Sequence, residues 1–348
     1  MNIVKPSGTI VPHNITKYRF IEKIGRTCYK SEDKITEGSD EKFVGNLMKR
    51  KHLAMIEHET IYIKVPKGFM EDFLFDMKDN QEQLRYFNIT NRYDKNDCCI
   101  ISGSFRAFYD LFVRMGDFKY STINSTSPLA FLLNLLREEY PLIFGEFTEY
   151  PTNTVIEPYY TPLFKLLSRE EVVEDIRKNV DKDYVDKEIS KHLTHTVLFV
   201  CDRGVTHEFV RHRPCSFAQE STRYCNYSLG KFDNSVTFIE PFFFASKENH
   251  SQYVKWLQAM NRAEEIYFEL LENGATPQEA RSVLPNSLKT ELVITATEQE
   301  WQHIINLRYN GTTGAPHPQI KEVMGLVVED LVKESDGRLS YETDKETN

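Results

Sequence analysis

Residues 196–214 read TVLFVCDRGVTHEFVRHRP, and the fold is read outward from them. Thr196–Cys201 is an unbroken apolar and β-branched run, the pattern of a strand buried on both faces. Asp202 stands where a helix N-cap belongs, able to accept from first-turn amides. Val205 and Phe209 lie one helical turn apart, and Pro214 disfavours helix at Arg213. Arg211-His212-Arg213 is therefore predicted at a helix C-terminus, where cations suit the dipole.

Upstream, Phe43, Val44, Leu47 and Met48 recur at helical spacing and Thr60–Val65 alternates like a half-buried strand, with KHLAMIEHE a short polar connection between them. Cys98–Ile101 reads as a strand and Phe131–Leu136 as helix. The polar VVEDIRKNVDKDYVDKEISKH completes a stretch, 66–192, read as an insertion or lid. Downstream, three long amphipathic helices are expected. One carries Tyr253, Trp256, Leu257, Met260, Tyr267 and Leu271 and stops at Asn273-Gly274. Another spans about 290 to 308, and the last groups Ile320, Val323, Met324, Val327 and Leu331. No repeat or Gly/Ser/Pro linker cuts the chain, so residues 1–335 read as one domain, followed by a frayed polar tail at 336–348.

The 348 residues are ample for a sizeable core. With 52 Asp+Glu against 43 Lys+Arg the formal charge is -9, which disfavours nucleic-acid polymers and anionic membranes. Any anionic ligand needs a local basic cluster. The six cysteines form no C-x-x-C pair and the first residues lack an apolar signal core, so a reduced, cytoplasmic setting is expected. No apolar run approaches the roughly 18 residues of a membrane span.

HEFVRHRPCSFAQESTRY, residues 207–224, is the densest polar feature. Its bland reading is a solvated helix end. Against that, Arg211, Arg213 and Arg223 with the Ser221 and Thr222 hydroxyls form a phosphate cradle in an acidic chain, because Arg forks match phosphate oxygens. A zinc-protease reading fails: His207 and His212 are five positions apart, about 140° around a helix. No metal site is expected. Cys215 beside Arg213 and His212 is a candidate nucleophile, since cations lower a thiol pKa, although a Cys beside Pro is more often structural. His52, Glu57 and His58 read, on their own, as a surface loop. Arg308 after an apolar turn needs an anionic or carbonyl partner. No G-x-G-x-x-G or Walker loop is present, so any nucleotide is held by another device.

Several blocks together resemble the flavin-dependent thymidylate synthases: CYKS at 28–31, HLAMIEH at 52–58, RHR at 211–213 followed by Ser221 and Thr222-Arg223-Tyr224, AR-x-x-LPN at 280–286 and NLR at 306–308. The resemblance covers most of 20–65 and 193–330. It implies an α+β fold, a mixed sheet flanked by long amphipathic helices. It further implies a homotetramer with active sites at subunit interfaces, bound FAD, and methylation of dUMP to dTMP with methylenetetrahydrofolate and NADPH. By the same resemblance Arg211, His212, Arg213, Gln219, His303, Glu57 and His58 would hold the flavin. Glu208, Arg211, Gln219, Ser221, Thr222, Arg223, Arg281 and Arg308 would hold dUMP, with Arg308 and Ser221 the catalytic pair. Where relatives carry H-A-Q, YNGTTGAPHPQ intervenes here and His317-Pro318-Gln319 approximates that block. Two alternatives stay open: a nucleotide-binding protein without catalysis, and a synthase using Cys215 as nucleophile.

Overall fold

The computed structural model describes residues 1–76, 81–90, 98–117, 128–148, 164–223, 225–232, 234–244 and 250–342. Among these residues ten strands form: β1 (Asn2–Val4), β2 (Ser7–Ile10), β3 (Thr60–Pro66), β4 (Phe87–Ile89), β5 (Cys98–Ser104), β6 (Lys165–Leu167), β7 (Thr194–Asp202), β8 (Ser216–Gln219), β9 (Thr237–Ile239) and β10 (Lys289–Thr297). They form sheets ordered β2-β7-β10-β8, β4-β5-β3-β6 and β1-β9. With its helices this is the expected α+β class, and among the named strands of the described residues parallel pairing is confined to β1-β9.

The predicted central strand is β7. It is flanked by β2 and by β10, which pairs with it from Thr194↔Thr297 to Asp202↔Lys289. Buried Val197 and Phe199 pack with Leu292 and Ile294 in one cluster. The stretch 66–192 is joined to β3, which pairs with β5 and β6. Phe108, Leu132 and Phe144 from it share a core with Phe20 and Ile21 of helix α1 (Lys17–Tyr29) and Val44 of helix α2 (Ser39–Lys49). KHLAMIEHE, expected as a polar connection, is mostly a tight helical turn over Leu53–His58 that buries Met55, Ile56 and His58.

Two of the three expected downstream helices are corrected. Helix α3 (Arg203–Phe209) follows β7, and the long helix α4 (His250–Glu272) ends before Gly274 as expected. The stretch 290–308, however, is strand through Thr297 and then helix α5 (Glu298–Ile305), which opens into a π-helical turn, Asn306–Asn310. Thr290, Val293, Ile294, Thr295 and Thr297 are β-branched, stiff at χ1 and suited to a pleated surface. Two neighbouring strands claim them. The last helix is broken into α6 (Pro318–Gly325) and α7 (Val328–Glu334), both facing the same core. The tail is held through Glu342: the side chain of Arg338 is 4% exposed and Leu339 is 2% exposed, while exposed Ser340 and Glu342 are tied by their amides to Gln302 and Asn310.

Glu298 ties the tail to the sheet. It is fully buried, accepts from Arg338 Nε and Nη2 at 2.8 Å each, and takes further bonds from His195 at 2.9 Å and Ser190 at 3.0 Å. Burial alone would raise its pKa, but the hydrogen bonds from Arg338 and His195 prevail and hold it at about 2. A folded-state pKa below the unfolded value means the stabilisation is present above the unfolded pKa and lost as pH falls through the folded one. Glu298→Gln should therefore cost about 3–5 kcal/mol near neutrality by removing the buried charge partner of Arg338, whose remaining carboxylate, Asp336, lies at 3.4 Å. In denaturant titrations the gap between the two proteins should shrink as pH falls from about 4.5. A pH-independent gap would rule out this charge as its source.

Candidate active site

Helix α3 is built as its sequence dictates. Asp202 Oδ1 accepts from the Val205 amide at 2.8 Å, and Phe209 stacks on Phe199 with ring centres 4.9 Å apart. The chain then turns and presents Arg211 and Arg213 exposed, with His212 buried between them. Arg213 Nη1 donates to the carbonyls of Val210 at 2.7 Å and His212 at 2.9 Å, satisfying acceptors that a helix end leaves open.

The opposite wall comes from the π-helical turn, which delivers Arg308. Its Nε donates to His212 Nε2 at 3.0 Å, Nη1 to the Glu208 carboxylate at 2.8 Å and Nη2 to the Glu208 carbonyl at 3.1 Å. A guanidinium has five N–H donors, so one on each Nη remains for a ligand. Planar and pre-oriented, it can meet charge that develops on a bound base. The anionic partner expected for Arg308 is thus Glu208, 100 positions away. Glu208, Arg211, His212, Arg213, His303 and Arg308 line one cleft of about 580 Å³.

Its rim is completed by Thr313, Gly314, Ala315, Pro316 and His317, from the stretch that reads as an interruption of the motif. Gly311 and Gly314 have φ of 73° and 132°, a region that favours glycine, and this pair was the local signal for a tight loop. Gln319 Nε2 donates to Asp202 Oδ2 at 2.8 Å, tethering that loop's far end to the cap of α3.

Glu300 was also missed. Ligand atoms of His212, Glu300 and His303 lie within 4.8 Å of one another, close enough in principle to hold a metal ion. The hydrogen bond from Arg308 argues otherwise: with Nε2 accepting, a neutral His212 carries its proton on Nδ1 and offers Glu300 a donor, 3.7 Å away, in place of a lone pair.

The remaining expected residues fall in two other places. Gln219, at the end of β8, donates to Thr206 Oγ1 at 3.1 Å and Thr290 Oγ1 at 3.3 Å. Arg281 donates to buried Thr222 at 3.1 Å, and the Arg223 amide donates to Ser221 Oγ at 3.4 Å. None of these five lines the cleft within this chain. Tyr224 lies outside the described residues. Glu57 is ion-paired with Arg106, and its pKa is raised by burial against that pairing. His58 is wholly enclosed, with Nδ1 bonded to Thr295 at 2.8 Å, and burial lowers its pKa to about 3. Neither lines the cleft.

The Thy1 family model, described as thymidylate synthase complementing protein, matches residues 165–335. A flavin-dependent thymidylate synthase of Pyrococcus furiosus is 30% identical over 167 residues, 47% of this chain and 66% of that protein. One from Pyrococcus abyssi is 31% identical over 156 residues, 44% of this chain and 61% of its own length. The chain thus spans 66% and 61% of the length of these two relatives, less than two thirds of each. A solved UMP/dUMP methylase from Streptomyces cacaoi aligns over 98% of this chain and 100% of its own at 15% identity, with a TM-score of 0.40, too low to bear on the fold.

The site holds no activated thiol. Five cysteines are buried, and burial pushes the thiol of half-exposed Cys215 well above its ordinary value, outweighing the nearby Arg213. Only the thiolate is nucleophilic. Timed alkylation of native protein at pH 8, read by peptide mass spectrometry, should modify Cys215 at least about 100-fold more slowly than free cysteine. Rapid labelling would restore it as a nucleophile.

Proposed function

We propose that this chain, a member of the Thy1 family across residues 165–335, is a flavin-dependent thymidylate synthase. The observation that carries the reading is Arg308, clamped by Glu208 and His212 with donors to spare, in a cleft shared with Arg211 and Arg213 inside the matched segment. In the proposed reaction one carbon passes from methylenetetrahydrofolate to C5 of dUMP, its two bonds to the folate nitrogens break, and those nitrogens take up two protons, one matching the proton lost from C5 and one from solvent. A hydride originating from NADPH completes the methyl group, giving dTMP, tetrahydrofolate and NADP⁺.

The donor set suits phosphate-bearing ligands, since three arginines converge on one cleft of an acidic protein. Arg211, His212, Arg213 and His303 would hold FAD, whose contribution when bound is hydride transfer. Arg308 would orient the pyrimidine and stabilise negative charge developing on it. Ser221, Thr222, Arg223 and Arg281 would take the nucleotide phosphate, with Gln219 fixing their segment to α3. These residues lie away from the cleft of their own chain, which supports a homotetramer in which one subunit's Ser221 segment completes another's Arg308 cleft. The chain would work in the cytoplasm.

Purified protein should show flavin absorbance in the visible range. A colourless protein that takes up no FAD on reconstitution would overturn the proposal. Arg308→Ala should keep the bound flavin and lose about 10²–10³-fold in dTMP formation, the cost of removing one charge-stabilising donor. Cys215→Ala should turn over normally; its inactivity alone would favour the cysteine mechanism. Flavin-containing protein that binds dUMP but never oxidises NADPH would be a nucleotide-binding protein. Mixing inactive Arg308→Ala and Ser221→Ala chains should regain activity if each site draws on two subunits, and no recovery would place both residues in one chain's site.

A further inference from the structure

We propose that residues 338–342 form a strap that positions Arg308 by gripping the back of the helical segment carrying it. The strap touches that segment at three heights. Arg338 holds Glu298, the first residue of α5. At the middle, the Ser340 amide donates to Gln302 Oε1 at 2.8 Å and the Ser340 carbonyl accepts from Gln302 Nε2 at 2.9 Å. At the far end the Glu342 amide donates to Asn310 Oδ1 at 2.9 Å. Buried Leu339 roots the strap in the core, and Tyr341 meets Tyr309 edge-on at 5.7 Å.

The gripped side chains form a ladder of their own. Gln302, Asn306 and Asn310 are spaced four apart, and Asn306 Oδ1 accepts from Gln302 Nε2 at 3.0 Å and from Asn310 Nδ2 at 3.1 Å. Arg308 lies midway between the last two, so its side chain leaves on the opposite side, toward Glu208 and His212. The ladder crosses the π-helical turn, where the backbone bonds shift to the wider i→i+5 spacing, as from the Gly311 amide to the Asn306 carbonyl, and the side-chain bonds add to them. The strap lies beyond residue 335, where the family match ends.

The role assigned to Arg308 rests on the proposed function; the mechanical role of the strap does not. Three proteins test it: Gln302→Ala, Asn310→Ala, and a chain ending after Leu339, which keeps Arg338 and Leu339 but lacks Ser340 and Glu342. Hydrogen exchange of peptides covering 303–311 should quicken by about tenfold or more in all three, with strand peptides 194–202 unchanged. The KM for dUMP should rise by about tenfold or more while FAD content per chain stays at the wild-type level, a split that general destabilisation would not produce. Unchanged exchange across 303–311 would overturn the strap, and faster exchange with unaltered dUMP KM would overturn its positioning role. Faster exchange in the variants of a chain that makes no dTMP at all would leave the strap standing and fail the function instead.

Discussion

The pairing of β7 with β10 is the constraint on which the site depends. Its register sets Asp202 opposite Lys289 and Thr297 opposite Thr194, so the helices that follow the two strands start at opposite ends of the same ladder. Nine paired residues span about 27 Å. Residues 298–308 cover about 15 Å of helix rise and 203–208 about 8 Å, so two helices running toward each other over one sheet face can bring their last residues together. Phe199 supplies the common floor, stacked on Phe209 from α3 and in ring contact with Trp301 from α5. Glu208 and Arg308 meet because both helices must pack on that ring, and a one-residue slip of the ladder would turn it to the other face.

Charge is handled by the same economy. The chain carries an excess of nine acidic groups, yet the groups that matter are few and paired. Glu298, wholly buried, is balanced by Arg338 and His195. Glu208 is half-buried and serves Arg308 alone among the described side chains. A carboxylate so placed does more than neutralise: it fixes one edge of the guanidinium while the carbonyl of the same residue fixes another, leaving the free donors aimed by geometry. A lysine could not be held this way, because its ammonium lacks the planar fork.

What could be read from the chain was local. The run into Asp202, the cap, the turn at Pro214 and the basic trio at 211–213 each follow from neighbours in sequence, and the structure reproduces them. The stretch 290–308 was misread because apolar residues at near-helical spacing continue across the Thr297 boundary, and only pairing with β7 and β8 decides in favour of strand. Glu208 reaching Arg308 and Ser340 reaching Gln302 are contacts of long sequence separation between residues with no local pattern. The family blocks supplied both Arg308 and Glu208 as site residues; nothing in them marked the two as partners of each other.

The division of the expected residues between two places has a physical consequence. Thr206 and Glu208 sit on one short helix, the first bonded to Gln219 and the second to Arg308. Helix α3 is therefore the rigid link between the cleft and the Ser221 segment, pinned by its Asp202 cap and by Phe209 in the core.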